Sequence, residues 1–463
     1  MKTFKRIAWL VALISTVLLS LLVAKGASAD DKTVAAPIQF ADYLQLKRFT
    51  EIPSASRVAQ SNLRQQEIIL SALNNSPTAR ELLANLLAAG LDTTAAKGAK
   101  LPQVTATVQS AMTEGDLAMA SKNRGSPGAT LQATYVVYDW GRLDANVRVR
   151  KEAENSLNAR QNLVARQVAL DAMTTCLELS KQRALLTANI EYVDKIKDLV
   201  KRLNRVVESD PGRAGELVQT KSRMLQADSS IETVRTKVTE VKYRLDRILG
   251  PNQSHKCEGL GPSLMNPPDR NDVLDSLKIH PQVRIIESDY RQNLSLVEQL
   301  AATRKPQASV IAAHAPVSLG FTQDYAQSIT LSVTAPLFDG NTLKSSERAS
   351  LERANAALER KEETIRQLTD DVKQRHSQAV RNLARAEEYV SLLEINKKVR
   401  DDFFVQWVAL GRRSLFELLA IEAEQFSLDT GYFTTLYDGM IGVTYLRATA
   451  GELTMDTLTT NKP

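Results

Sequence analysis

The sequence repeats itself at a spacing near 200 residues, so any fold must be built from two copies of one unit. Pro77 and Pro102 recur as Pro281 and Pro306, each 204 residues later. Glu216-Leu217 recurs as Glu417-Leu418, and Ile248-Leu249-Gly250 as Thr449-Ala450-Gly451, both at an offset of 201. Between these landmarks, Tyr138-Asp139-Trp140-Gly141 is matched by Phe338-Asp339-Gly340. The common order sets a first copy at 30–250 and a second at 273–451. An irregular linker at 251–272 joins them, and a tail follows at 452–463.

Each copy reads as a helix of about 20–25 residues, two strands and a long helical hairpin. Arg142 to Asp210 is a run of 69 residues without Gly or Pro, and Asn341 to Leu410 a run of 70. As helices, these would extend about 100 Å each. The chain breaks at Pro211-Gly212-Arg213-Ala214-Gly215 and at Gly411, then returns as Glu216–Leu249 and Arg412–Ala450. Two antiparallel hairpins, 142–249 and 341–450, are predicted. Ile365, Leu368, Val372, Ala379, Leu383, Ala386, Val390 and Leu393 mark a coiled-coil seam with a gap near Arg375 and His376. The helices alone would also suit a coiled-coil scaffold.

The strands are more restrictive. Ile329, Leu331, Val333, Ala335 and Leu337 alternate with Ser328, Thr330, Ser332 and Thr334. Val104, Ala106 and Val108 alternate with Thr105, Thr107 and Gln109. Strands are expected at about 101–113, 129–139, 307–319 and 326–338, with one apolar and one small-polar face. Lengths near ten residues suit a tilted membrane-spanning strand. Tyr138, Trp140 and Phe338 stand at one end of the strands, and Phe321 and Tyr325 at the other, like the two aromatic girdles of a membrane barrel. A soluble sandwich is the competing reading, but neither face has a large aromatic core. Four strands cannot close, since the smallest common membrane barrels have about eight. Other chains must therefore complete the sheet, because an open edge in lipid leaves backbone groups unsatisfied. Two copies or three would both serve.

Export fits this reading. Lys2, Lys5 and Arg6 precede an apolar run from Ile7 to Ala24, and Ala27-Ser28-Ala29 offers a cleavage site before Asp30. We expect residues 1–29 to be a signal peptide rather than a membrane anchor. That segment holds four of the 59 basic residues and none of the 53 acids, so its removal lowers the charge from +6 to +2. A nearly neutral chain has no electrostatic footprint for nucleic acid. Enzymes are disfavoured as well. The sequence has no GxSxG, HExxH, Walker or dinucleotide pattern, and its four histidines are scattered at 255, 280, 314 and 376. No cofactor or metal site is expected. The two cysteines form a candidate disulfide. Cys176 lies 35 residues above Pro211 on one arm of the first hairpin, about 52 Å along it. Leu249 lies 38 residues up the other arm, about 57 Å, and Cys257 follows eight residues later.

The signal segment, the duplication, strand pairs ending in Tyr138-Asp139-Trp140-Gly141-Arg142 and Phe338-Asp339-Gly340, and two hairpins together resemble the TolC family of outer-membrane efflux ducts. The resemblance implies a mainly α-helical fold with a transmembrane β-barrel, assembled as a homotrimer in the Gram-negative outer membrane. Each subunit would give four strands to a barrel of about 12, continued by a periplasmic helical tunnel. Its partners would be outer-membrane lipid, a periplasmic adaptor, and an inner-membrane ABC or proton-driven transporter. The family closes its periplasmic mouth with charged links, and Gly411-Arg412-Arg413-Ser414-Leu415-Phe416-Glu417 matches that pattern. Ala420 stands where a second acid is expected. By the same likeness Arg413, Glu417, Glu216 and Arg213 are the gate candidates. Arg413 and Glu417 lie on one helix face, with Glu216 as the acidic partner on a neighbouring hairpin. The first tip, Asp210 to Gln219, looks more like the type I protein-secretion branch than the drug-efflux branch. A periplasmic adaptor is a more distant alternative, but it would have one hairpin rather than two.

Overall fold

The computed structural model describes residues 57–109, 128–257, 262–318, 326–408 and 414–453. All of them belong to one unit spanning 50–463. The signal segment, Phe321, Tyr325, Gly411 and Arg413 lie outside the described residues.

The duplication is visible in the elements. Helix α1 (Arg57–Asn75) leads to α2 (Pro77–Gly98), strands β1 (Gln103–Gln109) and β2 (Gly128–Tyr138), and the hairpin α3 (Arg142–Ser209) and α4 (Ala214–Leu249). After the linker, α5 (Arg270–Ser276) and α6 (Pro281–Thr303) lead to β3 (Gln307–Ser318) and β4 (Ala326–Thr334). The second hairpin follows as α7 (Thr342–Val408) and α8 (Leu415–Ala450). Helices α2 and α6 begin alike, with proline at the first position, where its missing N–H costs nothing. Ser76 caps α2 by accepting from the Ala79 N–H, and His280 caps α6 by accepting from the Gln282 N–H at Nδ1.

Three sequence expectations need correction. The linker is not wholly irregular, because it holds 3-10 turns at Ser254–Cys257 and Pro262–Met265 before α5. Val273 and Leu277 then pack with Val372, Ala379, Val443 and Leu446. Strand β4 stops at Thr334, short of 338, just before Pro336, which has no N–H for the ladder. The α7 seam also drifts. Val372, Ala379 and Ala386 are buried, but Val390 is exposed and Tyr389 turns inward over Gly431. A straight helix drifts about 20° per heptad from a strict seven-residue seam, which explains the shift.

Helix α3 is the spine. Near the strands it packs between α2 and α6, and α6 packs on α7. Ser156 bonds Asp289 at that level, and Glu154 accepts from Thr93. Farther along, α4 and α8 take the places of α2 and α6, so α3 again has a partner on each side and α8 packs on α7. There Lys181 bridges to Asp438, Ser230 donates to Asn189, and the Tyr192 and Phe426 rings stack. Helices α3 and α7, of 68 and 67 residues, are therefore supported along their whole length. The expected gap in the α7 seam is filled by a polar group. Tyr445 donates to Asp371, Arg375 bonds Asp371 at 2.8 Å, and the Arg375 guanidinium lies 3.7 Å from the Tyr445 ring centroid.

Candidate functional site

Two regions can carry function: the sheet at one end of the long helices and the hairpin tips at the other. The sheet has the order β1-β2-β3-β4, all antiparallel. Its register sorts the side chains cleanly. Val104 lies opposite Ala133, Ala133 opposite Ala312, and Ala312 opposite Ile329. Tyr135, Val310 and Leu331 form the next row on the same face. The other face carries Thr105, Gln132, Ser309, Thr330 and Ser332, with Val136, Ile311 and Ala313 as apolar exceptions. The apolar face is uncovered, with Val108 at 75 % exposure and Ile329 and Leu331 both at 68 %. A row of large aliphatic side chains facing outward would be a liability in water and suits lipid. Strands β1 and β4 are the open edges among the described residues.

The strand-to-helix corners show what the repeated Asp does. Asp139 accepts from the Gly141 N–H at 3.0 Å and from the Leu143 N–H at 2.7 Å. Asp339 accepts from the Asn341 and Leu343 N–H groups at 3.0 and 2.9 Å. Each carboxylate satisfies N–H groups that the first helical turn leaves orphaned. Gly141 and Gly340 sit at φ of +80° and +66°, where a side chain would be strained. The sequence showed the motif as a landmark but not as a clamp. The signal was an acid kept at the same offset in both copies.

The aromatics expected to form a girdle at this end, Tyr138, Trp140 and Phe338, are all exposed. The Trp140 Nε1–H donates to the Pro306 carbonyl at 2.8 Å, tying the β2 corner to the start of β3. Lys305 sits 4.8 Å from the Trp140 ring centroid.

At the other end, Asp210 accepts from the Gly212 N–H and starts the 3-10 turn Pro211–Arg213. Arg213 and Glu216 form an ion pair at 2.8 Å. Glu417 forms a capping box with Ser414. The Ser414 N–H donates to Glu417 Oε2 at 3.0 Å, and the Glu417 N–H to Ser414 Oγ at 3.3 Å. Both acids expected at a gate therefore have partners within their own hairpins, Arg213 for Glu216 and Ser414 for Glu417. Behind them, Ile196, Leu199, Leu203, Trp407, Leu415, Leu418 and Leu419 form an apolar plug joining the two tips. Above the plug Glu422 is buried, which pushes its carboxyl up, and Arg400 is 3.9 Å away.

Cys176 and Cys257 are bonded, with Cα atoms 5.1 Å apart, and both are fully buried. The bridge fastens the start of the linker to the middle of α3. Among the described residues no helix is long and apolar enough to cross a membrane, and no acid, His or Cys cluster could hold a metal.

An uncovered apolar sheet face on a supporting set of paired helices is the arrangement that a subunit meeting lipid through strands would need. Residues 68–251 match the outer membrane efflux protein family. The fold matches the outer-membrane channel OprN, with a TM-score of 0.74 at 15% identity over 92% of this chain and 98% of that one. It matches VceC of Vibrio cholerae with a TM-score of 0.73 at 13% identity, over 86% of this chain and 98% of the other. The open-state MtrE channel of Neisseria gonorrhoeae gives 0.71 at 14% identity, over 93% and 99%. No curated protein matches in sequence. The family match is thus confined to residues 68–251, and what the chain shares with these outer-membrane channels along most of its length is the fold.

Proposed function

We propose that the chain is one of three identical subunits of a duct that carries substrate from an inner-membrane transporter and a periplasmic adaptor to the cell exterior. The sheet is the observation that carries this reading: its apolar face is exposed and both edge strands lack partners among the described residues. Three copies joined edge to edge would satisfy the edges and turn the Thr, Ser and Gln face toward a wet lumen. Residues 1–29 would direct export and be removed. Outer-membrane fractionation and light scattering on detergent-solubilised protein test the reading, with a particle of three chains as the expected result. A monomer with native helix content would overturn it.

For cargo, we propose protein exported by an ABC transporter through type I secretion. The support is the first tip, whose Asp210 to Gln219 stretch resembles that branch and folds as a tight turn held by Asp210 and Arg213. In a deletion strain, a protein should disappear from the medium while susceptibility to small toxic molecules is unchanged. Raised susceptibility with an unaltered set of secreted proteins would assign the duct to a proton-driven efflux pump instead.

A further inference from the structure

The helix ends directly beneath the sheet carry exposed cations that make no close ion pair among the described residues. Several carboxylates at this level are engaged, Glu154 among them, which pairs with Lys151 and accepts from Thr93. Asp139 and Asp339 bind backbone N–H groups. Asp144 pairs with Lys100, Glu298 with Arg148, and Glu347 with Arg304. Lys97 at the end of α2, Lys305 just past the end of α6, and Lys344 and Arg348 in the first two turns of α7 make no close ion pair among the described residues, although Glu154 feels the Lys97 charge and Glu352 stands one turn from Arg348. All four are exposed. They lie on or just past the ends of three different helices, so the exposed cations form a band below the strands rather than a patch on one helix.

The apolar side chains at the same level show what faces this band. Leu337 and Phe338 are 98 % and 89 % exposed, and Tyr138 and Trp140 stand beside them. Lys305 lies against the Trp140 ring, which places its ammonium beside these aromatics. Greasy and aromatic groups above cations are the arrangement that meets a bilayer interface, with phosphates at the depth of the ammonium groups.

We infer that Lys97, Lys305, Lys344 and Arg348 bind the phosphates of anionic glycerophospholipids in the periplasm-facing leaflet and so set the depth of the sheet in the bilayer. This rests on the membrane placement proposed above and adds a ligand class and four residues to it. Lysine and arginine near an anionic surface each strengthen attachment by roughly fivefold. Arginine's planar fork can hold two phosphate oxygens, whereas the lysines act as point charges.

The test uses the full chain in vesicles of phosphatidylcholine with one-fifth phosphatidylglycerol. Protein is then extracted in mild detergent, and its retained lipid is counted by native mass spectrometry. The wild type should retain phosphatidylglycerol well above its share of the vesicle. The K97Q/K305Q/K344Q/R348Q variant should lose that enrichment, by tenfold or more, while keeping its helix content and subunit mass. Lysine–arginine exchange at the four sites (K97R/K305R/K344R/R348K) should restore it. A control variant, K221Q/K242Q, removes two exposed cations from α4, away from the strands, and should leave it unchanged. Equal enrichment in the wild type and the four-site glutamine variant would overturn the inference while leaving the duct intact. Failure of the wild type to float with vesicles would overturn the membrane placement and this inference together, and flotation reads that outcome separately.

Discussion

The Arg213 guanidinium holds both carboxylate oxygens of Glu216, Nη2 to Oε2 at 2.8 Å and Nε to Oε1 at 3.3 Å. The bond to Glu216 raises the already high pKa of Arg213, so the guanidinium stays charged throughout the physiological range. Both side chains are about one-third exposed, which limits the pair to about 0.2–1 kcal/mol. Glu216 is thus held on its own hairpin, and a basic group from another hairpin must share it or displace Arg213.

This sharpens the gate proposal. If Arg413 latches the periplasmic mouth by reaching Glu216 on a neighbouring hairpin, Arg413→Ser should raise single-channel conductance in planar bilayers with the trimer intact. Arg213→Ala should not raise it, because that change removes the competitor and leaves the latch in place. Unchanged conductance in Arg413→Ser would assign closure to the apolar plug around Leu203, Trp407 and Leu418.

The second hairpin depends on three small residues. A Cβ on Gly439 would sit 2.8 Å from the Leu383 side chain, on Gly442 2.9 Å from Ala379, and on Gly431 2.8 Å from Tyr389. Gly439→Val should cost about 1–3 kcal/mol by overpacking α8 against α7. Gly90→Ala is the contrasting case. It lies inside α2 with open space around it, so it should gain about 0.5–1 kcal/mol from lower chain entropy. Thermal melts of the two variants should move in opposite directions.

These examples show what a linear sequence can carry. The hairpins were legible because Gly and Pro are absent from two runs of nearly equal length and mark their ends. The membrane face was legible because period-2 alternation survives in β1 and β4. Partners across elements were not. Nothing local says that Gly439 faces Leu383, or that Glu216 takes Arg213 rather than a residue from another hairpin. Either pairing satisfies the same spacing rule, and only the backbone path chooses. The Asp139 and Asp339 clamps were hidden for a different reason, because an acid before a glycine reads as an ordinary turn until its two backbone partners are placed.

The bond between Cys176 and Cys257 closes a loop of 81 residues. In the chain-entropy account this constrains the unfolded state by about 4.5 kcal/mol, and removing such a bridge typically costs about 2–5 kcal/mol. Cys257→Ser should therefore lower the melting temperature clearly and raise proteolysis within 251–272 first. Thiol labelling of denatured, unreduced wild type should find no free thiol. Two labelled thiols in protein taken from the periplasmic side would show that the bridge does not form in the cell.

His280 gives the chain a stability that depends on pH. It is buried where α6 begins, and its Nδ1 accepts from the Gln282 N–H. Burial, with the nearby Arg166 charge second, lowers its pKa from 6.5 to about 4. Arg166 is itself held in place by a bond to the Thr449 carbonyl, so this charge does not swing away. The unfolded chain therefore takes up a proton at this residue before the folded one does. His280 withholds no stability above pH 6.5, and its destabilising effect grows as pH falls from 6.5 toward 4. Protonation would also turn the cap's acceptor into a donor facing an N–H group. Asparagine can cap a helix start and does not titrate, so His280→Asn should match the wild type near pH 7.5 and exceed it at pH 4.5. Chemical denaturation at the two pH values measures this directly. Parallel pH dependence in both proteins would place the acid sensitivity elsewhere, with buried Glu422 excluded as its source: burial raises its pKa, so Glu422 gains stability on protonation rather than losing it.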